Sequence, residues 1–142
     1  MLLVDRGSEP FGRALPGGFV NVGESAEEAA VRELGEETGL VGLTLGDLEL
    51  IPRVFTSPGR DVRRHTASVC YGVRYRGGMG VVRAGDDAKG VGWVEVGEVL
   101  GGEGGLAFDH YDILKAWWDL GGKERQGSKG IRTGDGDKDK GV

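Results

Sequence analysis

Apolar residues recur along this chain with two periods, and the changes between them mark the elements. Leu2-Leu3-Val4 is an uninterrupted apolar run that predicts a short strand, followed by a loop through Phe11 to Arg13 and a sharp turn at Gly17-Gly18. Ser25-Ala26-Glu27-Glu28 has the S-x-x-E form of a capping box, which predicts a helix over Ala26 to Thr38 closed by Gly39 as a left-handed cap. Asp47 to Phe55 and Ala67 to Tyr75 read as strands, the second placing Ala67, Val69, Tyr71, Val73 and Tyr75 on one face. Gly85 to Gly90 reads as a loop, Val91 to Val96 as a strand around Trp93, and Phe108 to Leu120 as a helix with Ile113, Leu114, Trp117 and Leu120 among its apolar positions. Mixed strands and helices of this kind imply a layered α/β or α+β domain.

Composition narrows the organisation. The 142 residues suit one domain plus a tail. Residues 121–142 hold seven glycines, ten charged residues and only Ile131 and Val142 as aliphatic side chains. Such a segment cannot offset its ordering entropy, so the domain is expected over residues 1–120 and a disordered tail over 121–142. The single cysteine, Cys70, excludes an internal disulfide and a thiolate metal site. No run approaches the roughly 18 apolar residues of a membrane span, and the start lacks a signal-peptide pattern, so a cytoplasmic protein without membrane partners is expected.

Charge sharpens the picture. The tail carries +2 of the net −5, leaving −7 on residues 1–120. An acidic body speaks against nucleic acid as a partner, because phosphate-backbone binders present a basic stripe. An anionic ligand would then need a divalent cation. The predicted helix carries Glu33, Glu36 and Glu37 at i, i+3 and i+4, within about 100° of arc on one face. Ala26, Ala29 and Ala30 lie on the same side and give those carboxylates clearance. Arg32, with Glu28 four residues before and Glu36 four after, is placed to lock one carboxylate while others stay free. Clustered carboxylates over small residues suit Mg²⁺ or Mn²⁺, which prefer oxygen ligands.

Gly18, Glu24 and the run Arg32-Glu33-Leu34-Gly35-Glu36-Glu37-Thr38-Gly39-Leu40 resemble the Nudix hydrolase signature at every defined position. The resemblance implies an α/β/α sandwich around a mixed β-sheet, and an acid-anhydride hydrolase that cleaves nucleoside diphosphates linked to another group with Mg²⁺ or Mn²⁺. Carried over by position, Glu33, Glu36, Glu37 and the Gly17 carbonyl would hold the metal, with Arg32 and Glu24 orienting the carboxylates. The base stays open between a signature glutamate and the loop residues Asp86 and Asp87; a plain turn at Gly85-Asp86-Asp87 is the alternative.

Leu15-Pro16-Gly17-Gly18-Phe19-Val20, Arg60-Asp61-x-Arg63-x-His65, Ser68-Val69 and Ala107-Phe108-Asp109-His110 resemble the ADP-ribose pyrophosphatase branch. Val62 and Arg64 stand where that branch usually has proline and glycine. In that branch a further strand normally precedes the one at Leu2 to Val4, and that first strand is expected to be missing here. Phe11, Leu15 and Phe55 are candidates to stack on adenine, Arg60 and Arg63 to contact phosphate, and His65 to face the pocket; each has core packing or surface charge as its alternative. The expected reaction is ADP-ribose to AMP and ribose 5-phosphate. A nucleoside triphosphate pyrophosphatase and a non-catalytic ADP-ribose sensor are the rivals, and a homodimer stays open.

Overall fold

A computed structural model describes residues 1–86, 88–102 and 105–122. Asp87 and the tail from residue 123 onward therefore lie outside the described residues. The elements are β1 (Leu2–Arg6), β2 (Arg13–Ala14), α1 (Ala26–Thr38), β3 (Leu48–Phe55), β4 (Ser68–Val73), β5 (Ala88–Trp93), α2 (Val96–Leu100) and α3 (His110–Trp117).

Two sheets form. β1 lies between β2 and β5, antiparallel to both, and an isolated parallel bridge from Arg13 to Leu106 makes the hydrogen-bonding mixed. β3 and β4 form a separate antiparallel pair from Leu48↔Val73 to Phe55↔Ser68. Their register breaks between Leu50 and Val54, around Pro52, which has no amide hydrogen to give a ladder. Helix α3 joins the two sheets. Its Leu114 packs with Leu3, Val96 and Val99, while the adjacent Ile113 packs with Ile51 and Phe55. The fold is a mixed α/β domain, and no helix among the described residues is long and apolar enough to cross a membrane.

Helix α1 has the expected bounds for the expected reasons. The Glu28 amide donates to Ser25 Oγ, the Ser25 amide donates to Glu28, and Gly39 ends the helix at φ 71°. Elsewhere the elements shift. β4 is shorter than expected, and the row containing Val69 is not its core face: Val69 is exposed, while Cys70 packs onto Ile51, Phe55 and Ile113. β5 starts at Ala88, inside the expected loop, because it pairs along the whole of β1. Val96 leaves that strand and opens α2, a helix of five residues, too short to show a period. α3 starts at His110 because Phe108 has φ 57°, outside the right-handed helical region.

A groove of about 1200 Å³ opens between the two sheets. The small-residue face of α1 lines it, with Ala26, Ala29 and Ala30 beside Glu33 and Glu37.

Candidate functional site

The loop Leu15–Phe19 crosses the face of α1 and fits it closely. The Gly17 amide donates to Glu37 Oε2 at 2.9 Å. Gly18 lies against Glu33 so tightly that an added Cβ would overlap the carboxylate. Small residues on both surfaces thus let backbone and carboxylates share one narrow space.

Arg32 organises the other side. Its Nε and Nη2 hold both oxygens of Glu24 at 3.1 and 2.6 Å, its Nη1 donates to Glu33 at 2.7 Å and Glu36 at 3.1 Å, and its Nη2 also reaches the Phe19 carbonyl at 3.0 Å. The Arg32 hydrogen bonds, helped by the Asn21 amide, hold the Glu24 carboxyl down at about 2. The expected Glu28–Arg32 pairing does not form, because the capping box uses the Glu28 carboxylate. Glu24, eight residues away, takes its place. Glu36 remains exposed, at 62% of its side chain.

A second loop closes on the C-terminal end of α1. The Arg83 amide donates to the Thr38 carbonyl at 2.8 Å and the Gly85 amide to the Glu37 carbonyl at 3.1 Å. A Cβ on Gly85 would overlap the Glu36 carbonyl, so backbone meets backbone there. The next residue, Asp86, is thereby brought beside the helix end that carries Glu36 and Glu37.

The lining of the same groove also carries Arg63, Arg64 and His65, together with Asp61. Arg63 is fastened to buried Asp61 at 2.9 Å, which lowers that carboxyl to about 2, and it lies 5.1 Å from the Phe108 ring centre. Arg64 lies 4.8 Å from the Phe19 ring centre. Guanidinium over an aromatic face is a cation–π arrangement, and Arg63 gives its Nε and Nη2 edge to Asp61.

The remaining candidates separate. Arg60 is buried, at 5% side-chain exposure; it grips both oxygens of Asp109 at 2.7 Å and donates to Thr66 and Ser68. These bonds engage four of its five N–H groups. Phe55 is a core residue at 4% exposure, so of its two readings core packing holds and the adenine platform does not. Phe11 is exposed, with the Lys89 ammonium 5.2 Å from its ring centre. Leu15 packs against two core clusters, and His65 Nε2 sits 3.3 Å from the Thr56 carbonyl.

Sequence reasoning assigned no role to His110, Asp109 or Phe19. The Leu15 amide donates to His110 Nδ1 at 2.9 Å across 95 residues of chain, a link that no local pattern announces.

Among the described residues, no group of three or more His, Cys, Asp and Glu side chains is gathered as a finished metal cage. The donor set nonetheless fits a hard cation. It consists of carboxylate oxygens from one helix face under a glycine strap where a side chain at Gly18 would intrude.

A family model, the NUDIX domain, matches residues 1–117. An ADP-ribose pyrophosphatase of Methanocaldococcus jannaschii is 41% identical over 117 residues, covering 81% of this chain and 63% of the relative. A bifunctional NMN adenylyltransferase/ADP ribose pyrophosphatase of Francisella tularensis, crystallised with AMP and a manganese ion, superposes with a TM-score of 0.71 at 32% identity. That match covers 84% of this chain and 37% of the other. The NUDIX domain of Shewanella oneidensis NrtR, crystallised with ADP ribose, gives a TM-score of 0.69 at 28% identity, covering 88% and 76%. The chain thus spans under two thirds of the archaeal relative and of the Francisella protein.

Proposed function

The chain belongs to the NUDIX family, and we propose that it is a metal-dependent pyrophosphohydrolase that cleaves ADP-ribose to AMP and ribose 5-phosphate. One observation carries this reading: Glu33 and Glu37 converge under the Gly17–Gly18 strap in a groove whose lining also holds Arg63 and Arg64. A diphosphate needs both, since its negative charge suits guanidinium donors and its hydrolysis suits a carboxylate-held cation.

Glu33, Glu36, Glu37 and the Gly17 carbonyl would hold Mg²⁺ or Mn²⁺. Such an ion draws charge from the phosphoryl oxygens and lowers the pKa of water. Arg32 and Glu24 keep the carboxylates aligned through the bonds described above. Arg63 and Arg64 balance the charge of the diphosphate. Water oxygen bonds to one phosphorus, the bridging P–O bond breaks, and the second phosphate leaves as a monoester. The water proton passes to a carboxylate, for which a signature glutamate and Asp86 are the candidates.

The structural likeness to a domain crystallised with ADP ribose supports ADP-ribose as the ligand, and the second reading is that the chain binds it without turnover. Assaying the chain against ADP-ribose, NADH, diadenosine polyphosphates and nucleoside triphosphates, with Mg²⁺ and then with chelator, separates the two. ADP-ribose is expected to be the best substrate, with turnover lost in chelator and restored by Mg²⁺ or Mn²⁺. Binding without hydrolysis would establish the sensor, and a preference for triphosphates would replace the substrate.

A further inference from the structure

Residues 13–15 run beside residues 106–110. Arg13 bridges to Leu106, and the Ala107 amide donates to the Arg13 carbonyl at 2.7 Å. The ladder would continue to the Leu15 amide, but Phe108 turns the main chain away at φ 57°. The acceptor at Leu15 is instead a side chain, His110 Nδ1 at 2.9 Å. His110 is itself fixed as the first residue of α3. The preceding Asp109 is held by both of its oxygens to buried Arg60.

Leu15 is separated from Gly17 only by Pro16, whose ring fixes one backbone angle. Its attachment therefore sets the position of the glycines that meet Glu37 and Glu33. We infer that His110 is a positioning residue, whose Nδ1 anchors Leu15 and so holds the Gly17–Gly18 strap in place over the Glu33 and Glu37 carboxylates. This rests on the hydrolase reading for its catalytic consequence, though not for its structural one. The ring is in the form the role requires. Burial pushes it down to about 4, which leaves it neutral at pH 7, and a neutral ring that accepts the Leu15 N–H at Nδ1 carries its proton on Nε2.

The test uses the full chain and the variants His110→Asn and His110→Leu. Asparagine keeps an acceptor near the Nδ1 position, and leucine keeps bulk without one. In the wild-type protein, ¹⁵N NMR should show His110 as the Nε2–H tautomer with unprotonated Nδ1; a protonated Nδ1 would overturn the proposal without any variant. His110→Leu should speed hydrogen exchange at the Leu15 and Gly17 amides and weaken Mn²⁺ binding measured by EPR. It should also lower kcat for ADP-ribose by about 10²-fold, the scale of a misplacement of about 1 Å, with KM changed by less than about threefold. His110→Asn should recover most of each. Unchanged exchange and kcat in folded His110→Leu would refute the proposal, as would equal failure of the two variants when both fold. A wild-type chain that hydrolyses nothing would remove the function reading, while the tautomer and exchange results would still decide the positioning role.

Discussion

A Cβ on Gly18 would overlap the carboxylate of Glu33, so these two residues fit together only while position 18 has no side chain. The need is one of close approach. Gly18 is absent from the positive-φ glycines, whereas Gly17 has φ 153° with nothing within 4 Å of its would-be Cβ.

Gly18→Ala should therefore act on Glu33 before it acts on the fold. We expect kcat for ADP-ribose to fall by about 10²-fold, comparable to losing one preorganised electrostatic group, with a melting temperature within a few degrees of wild type. Steady-state kinetics beside a thermal melt checks this. Wild-type kcat would mean that the Glu33 carboxylate has no part in turnover.

Glu37→Gln preserves shape and removes the charge a cation needs, while Asp86→Asn tests the loop that docks on the helix end. Glu37→Gln should lower kcat by about 10²-fold or more, and Asp86→Asn much less. Since a general base contributes about 10²- to 10⁴-fold, an equal fall for Asp86→Asn would move the proton acceptor to the loop.

The helix of this site was legible because its signals are local. Ser25, Glu28 and Gly39 fix its ends within a few residues, and the i, i+3, i+4 spacing fixes which glutamates share a face. What stayed hidden depends on long-range contacts. Arg32 chooses Glu24 over Glu28 because the cap competes for Glu28, and Arg60 disappears into a bond with Asp109, 49 residues away. β5 begins early because β1 offers partners for Ala88 and Gly90, residues whose own propensity favours a loop. Phe55 looked available as an aromatic platform only because sequence does not show that α3 covers it with Ile113.

Gly85 meets the carbonyl of Glu36 and the Cα of Glu37, main-chain atoms that no side-chain rotation can move aside. Gly85→Ala should cost about 1–3 kcal/mol as an overpacking change and displace the loop carrying Asp86. Gly92→Ala, where a Cβ meets nothing within 4 Å, should stay within about 0.5 kcal/mol of wild type. Urea unfolding of both variants makes the comparison, and equal midpoints would show that the loop yields freely.

His110 also gives the fold a pH dependence of definite sign. Desolvation is the main cause of its low value, with Arg60 and Arg6 lowering it further and Asp109 opposing them. The unfolded chain takes up a proton near the ordinary 6.5, and the folded ring does so only near 4. Between these values the unfolded state holds the extra proton, so stability falls as pH drops through that window, and the contribution is complete above about 6.5. At about 1.4 kcal/mol per pH unit the loss is about 3 kcal/mol by pH 4. Glu24 and Asp61, both lowered to about 2, add a separate loss that begins only below their ordinary values of 4.5 and 3.8. His110→Asn keeps an acceptor for Leu15 but cannot titrate, so it should flatten the profile between pH 6.5 and 4.5 and leave the steeper acid limb intact. Urea midpoints for wild type and variant at pH 7, 5.5, 4.5 and 3 measure both limbs. Parallel curves down to pH 4.5 would mean that His110 is as easily protonated in the folded protein as in the unfolded chain, and that the imidazole does not hold Leu15 as a neutral acceptor.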